Sequence, residues 1–299
     1  MRELIAFDIP SGPAFLRALM SAWEQGDAVL PLDSKAPQAY NHAIIQAMKP
    51  AAIIDADGER HHFGNSIPVE EGDALVVMSS GTSGVPKGAV HTHTSVEYAA
   101  FCTSTAAGVI ADCCWLACLP LSHVGGLSVL SRAVHTGSDL IILDHADPTE
   151  IAKAQLDGAT HVSLVPTLLA RIDPESFHTI LLGGSAIPSQ RPKNTIATYG
   201  MTETFGGVVY EGLALNGVEV RTTESGLIEI RSPTLLRTYR NAADPKDAQG
   251  WLLTGDLGQI NAATGLLSVH GRADDIIISG GEKVWPQAVE AILESHAGV

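Results

Sequence analysis

A chain of 299 residues that is 45% hydrophobic and 17% charged can bury a substantial core, and this composition excludes a disordered or fibrous protein. Its 33 acidic against 18 basic side chains give a formal net charge of −15, which weighs against nonspecific binding to nucleic acid or to an anionic membrane surface. Small anionic substrates stay open, because a few basic groups and helix N-termini can build a local positive site.

The first ten residues carry an early acid and a proline around a short apolar stretch, so no secretory signal is expected. No run approaches the length of a membrane span, and none is expected. Residues 10–25 place Phe15, Leu16, Leu19, Met20 and Trp23 at helical spacing. A short strand over 28–32, a helix over 38–48 and a strand over 51–55 follow. The apolar run 74–78 reads as a buried strand and a helix covers 94–108. Strands over 115–119, 139–143, 161–165 and 180–182 alternate with helices over 127–135 and 148–156. Such alternation predicts an α/β fold of layered, mostly parallel sheets with flanking helices. Ligands of such sheets collect beyond the carboxyl ends of the strands. Cys102, Cys113, Cys114 and Cys118 lack zinc-site spacing and read as buried free thiols, which fits a reducing cytoplasm.

After residue 210 short alternating strands over 217–221, 226–231 and 266–270 replace the helical pattern, and predict a small antiparallel, barrel-like β subdomain. The expected division is therefore 1–210 for the α/β core, 211–273 for the β subdomain, and 274–299 for a hinge and the start of a further unit. Trp285–Leu293 reads as a helix with Pro286 in its first turn.

Four polar segments carry the chemistry. The strand 74–78 runs into Ser79, Ser80, Gly81, Thr82, Ser83, Gly84 and, after Val85-Pro86, Lys87. Glycine backbone N–H groups, hydroxyls and a mobile ammonium can close around phosphate oxygens. The order is not that of a Walker A loop, since Gly88 follows the lysine. A flexible Ser/Gly linker is the plain alternative. In Tyr199-Gly200-Met201-Thr202-Glu203-Thr204 a carboxylate beside a hydroxyl offers magnesium the hard oxygens it prefers, and Tyr199 offers a stacking face. Asp256 of Thr254-Gly255-Asp256 can accept from two ribose hydroxyls, and Arg272, next to Asp274-Asp275, can reach ribose or phosphate. Each of these segments alone also fits an ordinary polar surface turn.

Their order resembles that of the AMP-forming acyl- and aryl-CoA synthetases, a superfamily of adenylate-forming enzymes. Ser79–Gly88 is similar to its phosphate loop, Tyr199–Thr204 to its Y-G-x-T-E segment and Thr254–Asp256 to its T-G-D segment. Gly271–Asp275 with Ser279–Glu282 resembles its hinge and following glycine loop, and Pro120–Leu127 its acyl-site segment. The early position of the phosphate loop, with Leu119–Gly126 and Ser163–Thr167, resembles the short o-succinylbenzoate–CoA ligases of actinobacterial menaquinone synthesis.

The resemblance implies an ATP-dependent acid–thiol ligase that uses Mg²⁺ and coenzyme A and works in the cytoplasm, with a homodimer as one possible state. Ser79, Ser80, Gly81, Thr82, Ser83, Gly84 and Lys87 would hold the outer phosphates, Thr202 the α-phosphate and Glu203 the metal. Asp256 and Arg272 would bind ribose, while Gly183, Gly184, Ser185, Tyr199 and Gly200 would line the adenine and acyl pocket. His123 would face the reacting carboxylate, with Gly125 and Gly126 giving close approach; capping of the next helix is the alternative for His123. Ser122, His123, Ser163 and Thr167 would form a neutral, hydroxyl-rich pocket for the spare carboxylate of the acid, unless Ser163 and Thr167 merely cap the Pro166 turn. Relatives continue past the hinge to a lysine that orients the acid for adenylation, and Lys283 does not match it. A ligase for another small acid, or a catalytically silent nucleotide-binding fragment, are the competing expectations.

Overall fold

Short apolar runs alternate with helices in the first half of the chain, and their burial decides which strands sit centrally. The computed structural model describes residues 2–79 and 87–275, and the backbone of 277–279 and 282–284. Its first stretch runs β1 (Leu4–Phe7), α1 (Pro13–Glu24), β2 (Ala28–Pro31), α2 (Gln38–Met48), β3 (Ala52–Ile54), β4 (Arg60–His62), β5 (Asp73–Ser79) and β6 (Lys87–Thr92). Every residue of β1 and β2 is buried, as expected of parallel strands covered on both faces. Thr92 then caps α3 (His93–Ala106) by accepting from the Ser95 amide at 3.1 Å.

The second stretch runs β7 (Cys114–Ala117), α4 (Val124–Thr136), β8 (Asp139–Ile142), α5 (Pro148–Leu156), β9 (His161–Leu164), α6 (Pro166–Leu169), β10 (Thr179–Leu182), β11 (Thr195–Met201), β12 (Gly206–Tyr210) and β13 (Leu213–Ala214). The third runs β14 (Glu219–Thr222), β15 (Leu227–Arg231), β16 (Thr238–Tyr239), β17 (Leu252–Ile260) and β18 (Leu267–Arg272), and the strands β19 (Ile277–Ser279) and β20 (Glu282–Val284) pair with one another.

Two seven-stranded sheets result, ordered β16-β6-β5-β2-β1-β3-β4 and β13-β12-β11-β10-β9-β7-β8, with a four-stranded antiparallel sheet β14-β15-β17-β18. The large sheets are parallel at their centres and antiparallel toward their edges. One core packs α1, α3 and α4 between the two sheets, through Phe15, Leu19, Val96 and Leu127 against Phe7, Leu75 and Trp115. A second packs α5 and α6 on the outer face of the second sheet, and a third packs α2 beneath the first. The α/β layered fold with a small antiparallel unit is the one expected from the sequence.

Three elements differ from that reading. The stretch after the phosphate loop is β6, which returns antiparallel along β5 as a hairpin. Thr254-Gly255-Asp256 is not a turn; it lies within β17, a nine-residue strand whose alternation is broken by Gly255 at φ +77°. β16, far along the chain, crosses back to pair with β6 at the edge of the first sheet. The helix expected over 285–293 lies outside the described residues.

Candidate active site

One group of polar side chains lies where the second sheet faces the third. Tyr199, near the end of β11, donates its hydroxyl to Asp256 Oδ2 at 2.7 Å. Asp256 lies directly across from Arg272 in the β17–β18 ladder, and the guanidinium reaches its Oδ1 at 3.4 Å and the Thr254 carbonyl at 3.2 Å. Asp256 is buried, and Thr254 Oγ accepts from its amide at 3.1 Å. Burial and the adjacent carboxylate push the Tyr199 phenol far above its ordinary pKa, so it is a fixed donor. Tyr199, Asp256 and Arg272, with Gly184, Ser185, Gly200 and Gly271, line a cleft of about 560 Å³, a size that holds a nucleotide. Gly183 is not among its lining residues, although the cleft begins at the next residue.

The second group centres on Glu203, in the single 3-10 turn Thr202–Thr204 that follows β11. Tyr239 on β16 donates to Glu203 Oε1 at 2.6 Å, and Lys87 Nζ stands 5.4 Å from the centre of the Tyr239 ring. Ser79 and Lys87 are opposite one another in the β5–β6 ladder, so both ends of the phosphate loop are anchored beside Tyr239. Ser80, Gly81, Thr82, Ser83 and Gly84 lie outside the described residues. His91, fully buried on β6, donates from Nε2 to the Thr202 carbonyl at 2.8 Å. Burial lowers its pKa to about 4, so the ring is neutral and holds the turn in place. Tyr239 and His91 belong to no segment picked out in the sequence. A single tyrosine in an irregular stretch carries no pattern of its own.

The third part of the site surrounds the start of α4. His123 occupies its N-cap position, exposed, with its carbonyl accepting from the amides of Gly126 and Leu127 and its side chain making no capping bond. Gly126 is required by close packing: a Cβ there would stand 2.4 Å from the Pro120 carbonyl oxygen. Gly125 is more open, with Leu119 at 3.2 Å from the corresponding position. Ser122 is buried, and its hydroxyl has no partner among the described residues.

Ser163 departs from the expected neutral pocket. Its Oγ accepts from Arg132 Nη2 at 2.7 Å, and that arginine is buried on α4, stacked 4.4 Å from the Trp115 ring centre. Burial lowers the Arg132 pKa while the Tyr210 hydroxyl, also bonded to it, opposes that shift, and Arg132 Nε has no partner among the described residues. Ser163 therefore pairs with a buried cation, where an all-hydroxyl setting was expected, and serves that cation rather than the Pro166 turn. A lone arginine on an apolar helix gives no sequence signal beyond its misfit with Leu130 and Ala133. Thr167 is exposed on α6, apart from this contact.

The model of the AMP-binding enzyme family matches residues 57–228, more than half of the chain. Among curated proteins the chain is 37% identical over 257 residues to the probable 2-succinylbenzoate–CoA ligase of Mycobacterium tuberculosis, covering 77% of this chain and 66% of that protein. It is 30% identical over 317 residues to the 2-succinylbenzoate–CoA ligase of Bacillus cereus, covering 93% of this chain and 65% of that one. The chain thus spans just under two thirds of the length of these relatives. Among solved structures it is similar to the o-succinylbenzoate–CoA synthetase MenE of Bacillus subtilis in complex with ATP and magnesium ion, at a TM-score of 0.86 and 26% identity over 99% of this chain and 75% of that one. It is similar also to a variant of E. coli MenE with bound OSB-AMS, at a TM-score of 0.84 and 25% identity over 100% of this chain and 73% of that one. Relatives from several bacteria match, and the actinobacterial one does not stand apart. Together with the Tyr199–Asp256–Arg272 array and the acidic turn beside the Ser79–Lys87 hairpin, these matches establish that the chain belongs to the family of AMP-binding enzymes.

Proposed function

We propose that this chain is the nucleotide- and acid-binding part of an AMP-forming acid–CoA ligase, with o-succinylbenzoate as the acid. The observation that carries the reading is the Tyr199–Asp256–Arg272 array in its cleft, with the Glu203 turn following β11. Asp256, charged and fixed from both sides, accepts the two ribose hydroxyls. Arg272, with 43% of its side chain accessible, retains donors for ribose or phosphate. Residues 1–210 then form the core and 211–273 the β unit that contributes the ribose contacts.

The acid's carboxylate oxygen attacks the α-phosphorus of ATP, pyrophosphate leaves, and the thiol of coenzyme A then displaces AMP from the acyl carbon. Ser79, Lys87 and the loop from Ser80 to Gly84 hold the outer phosphates, and Thr202 lies against the α-phosphate. Glu203 and Thr202 suit magnesium, since carboxylate and hydroxyl are the hard oxygen donors that ion takes. When bound, magnesium neutralises charge on the triphosphate. His123, exposed at the head of α4, faces the reacting carboxylate, with Gly125 and Gly126 beside it.

Support for a dicarboxylic acid comes from Arg132. A buried guanidinium whose Nε has no partner among the described residues, in a chain of net charge −15, is an expensive group that a second carboxylate would repay by pairing. The names of the relatives support the same acid. Calorimetric titration with AMP and Mg·ATP tests the nucleotide reading, and pyrophosphate release with o-succinylbenzoate against benzoate tests the acid. Absence of nucleotide binding would overturn the first. Equal turnover of both acids would overturn the second.

A further inference from the structure

Tyr239 stands where three parts of the proposed nucleotide site meet, and no other observation so far explains it. Its strand pairs antiparallel with β6, Tyr239 opposite Ala89, two residues from Lys87. Its hydroxyl donates to Glu203 Oε1 at 2.6 Å, and its ring lies beneath Lys87 Nζ. Ser79, at the other end of the phosphate loop, adds a hydrogen bond to the same hydroxyl. The strand is held independently of any ligand. The Arg240 amide donates to the Gly88 carbonyl at 2.8 Å, and the Gly88 amide to Asn241 Oδ1 at 3.2 Å. Arg237 grips buried Asp73 with two bonds of 2.8 and 3.0 Å.

An O–H···O⁻ distance of 2.6 Å is that of a charge-assisted hydrogen bond. It occupies one carboxylate oxygen of Glu203. The other has no hydrogen-bond or ion-pair partner among the described residues, so the carboxylate is held on one side and open on the other. We infer that Tyr239 is the positioning residue for Glu203, fixing one carboxylate oxygen so that the other meets a divalent cation carried by a nucleoside triphosphate, and seating Lys87 over its ring. This rests on the reading of Glu203 as the metal-side carboxylate.

Titrating the chain with ATP over a range of magnesium concentrations, and separately with AMP, tests the inference. Outer partners of metal-binding carboxylates contribute roughly 10- to 100-fold in metal affinity. Tyr239→Phe keeps the ring and its contact with Lys87 but removes the donor. It is expected to raise the magnesium concentration for half-maximal ATP binding by about 10-fold, leaving AMP affinity within about twofold. Tyr239→Leu, which also removes the seat of Lys87, is expected to weaken ATP further even without magnesium. Unchanged AMP binding serves as the control for folding. If Glu203→Gln shifts the magnesium dependence and Tyr239→Phe does not, the inference is overturned while the metal reading stands. If neither variant shifts it, the metal reading fails and the inference with it. Parallel loss of AMP and Mg·ATP in Tyr239→Phe would make the residue structural and overturn the inference.

Discussion

The site contains two tyrosine–carboxylate pairs, and they are wired differently. In Tyr199–Asp256 the carboxylate also has an arginine, Arg272, directly across the ladder. In Tyr239–Glu203 no side chain of opposite charge bonds the carboxylate among the described residues, and Lys87 lies over the tyrosine ring instead. A carboxylate already balanced by its own protein cation is suited to neutral hydroxyls. One left unbalanced is suited to a cation arriving from outside. That difference supports the proposed reading, with ribose at the first pair and metal at the second.

The largest test of that contrast is Asp256→Ala. It removes the shared acceptor and leaves Tyr199 and Arg272 without their partner, so AMP and Mg·ATP are both expected to bind about 100-fold more weakly by calorimetry. Glu203→Ala sharpens the contrast from the other side. Mg·ATP is expected to weaken on the order of 10-fold or more while AMP stays within about twofold. Equal losses for the two nucleotides in Glu203→Ala would erase the distinction between the pairs. Arg132→Leu is expected to weaken binding of an aryl dicarboxylate by roughly 10-fold and to leave a monocarboxylate nearly unchanged, read by competition against a fluorescent ligand.

Acid exposes a further asymmetry, because the Glu203 side rests on buried His91. The folded protein resists protonating that ring until about pH 4, whereas the unfolded chain takes the proton near its ordinary 6.5. His91 stability is therefore complete above pH 6.5 and is lost as the pH falls toward 4, and His161, also lowered to about 4 by burial, adds to the same trend. Thermal melts across that window are expected to show a falling Tm, with a shallower slope in His91→Gln. The smallest effect is expected from Lys87→Met, about threefold on ATP and none on AMP, since its contact is with outer phosphates.

Much of this was readable in the sequence. Strands such as 28–32 and 74–78 announce themselves because both faces are buried and the runs are continuously apolar. Asp256 and Arg272 stood out through the polar segments that hold them and the family these resemble, and the ladder makes them cross-strand partners. β17 was not legible, because Gly255 at positive φ interrupts its alternation and imitates a turn. Tyr239, His91 and Arg132 escaped for a different reason. Each acts through a partner more than thirty residues away or through burial, and neither leaves a local trace. The aromatic platform of Trp115 beneath Arg132 belongs to the same class.

The return of β16 to the first sheet bears on the order in which the chain can assemble. β6 has its final edge partner only when residues 238–239 arrive, and the ties around it span 153 residues from Gly88 to Asn241, 164 from Asp73 to Arg237 and 192 from Met48 to Arg240. Contacts of such separation close late and slowly. A chain emerging from the ribosome would carry β6 as a bare, buried-type edge for most of its synthesis, a template for unwanted strand addition. Pulsed hydrogen exchange during refolding is expected to protect the amides of β1, β2 and β5 before those of β6, and weakening Arg237–Asp73 should lengthen that interval and raise the yield of aggregates.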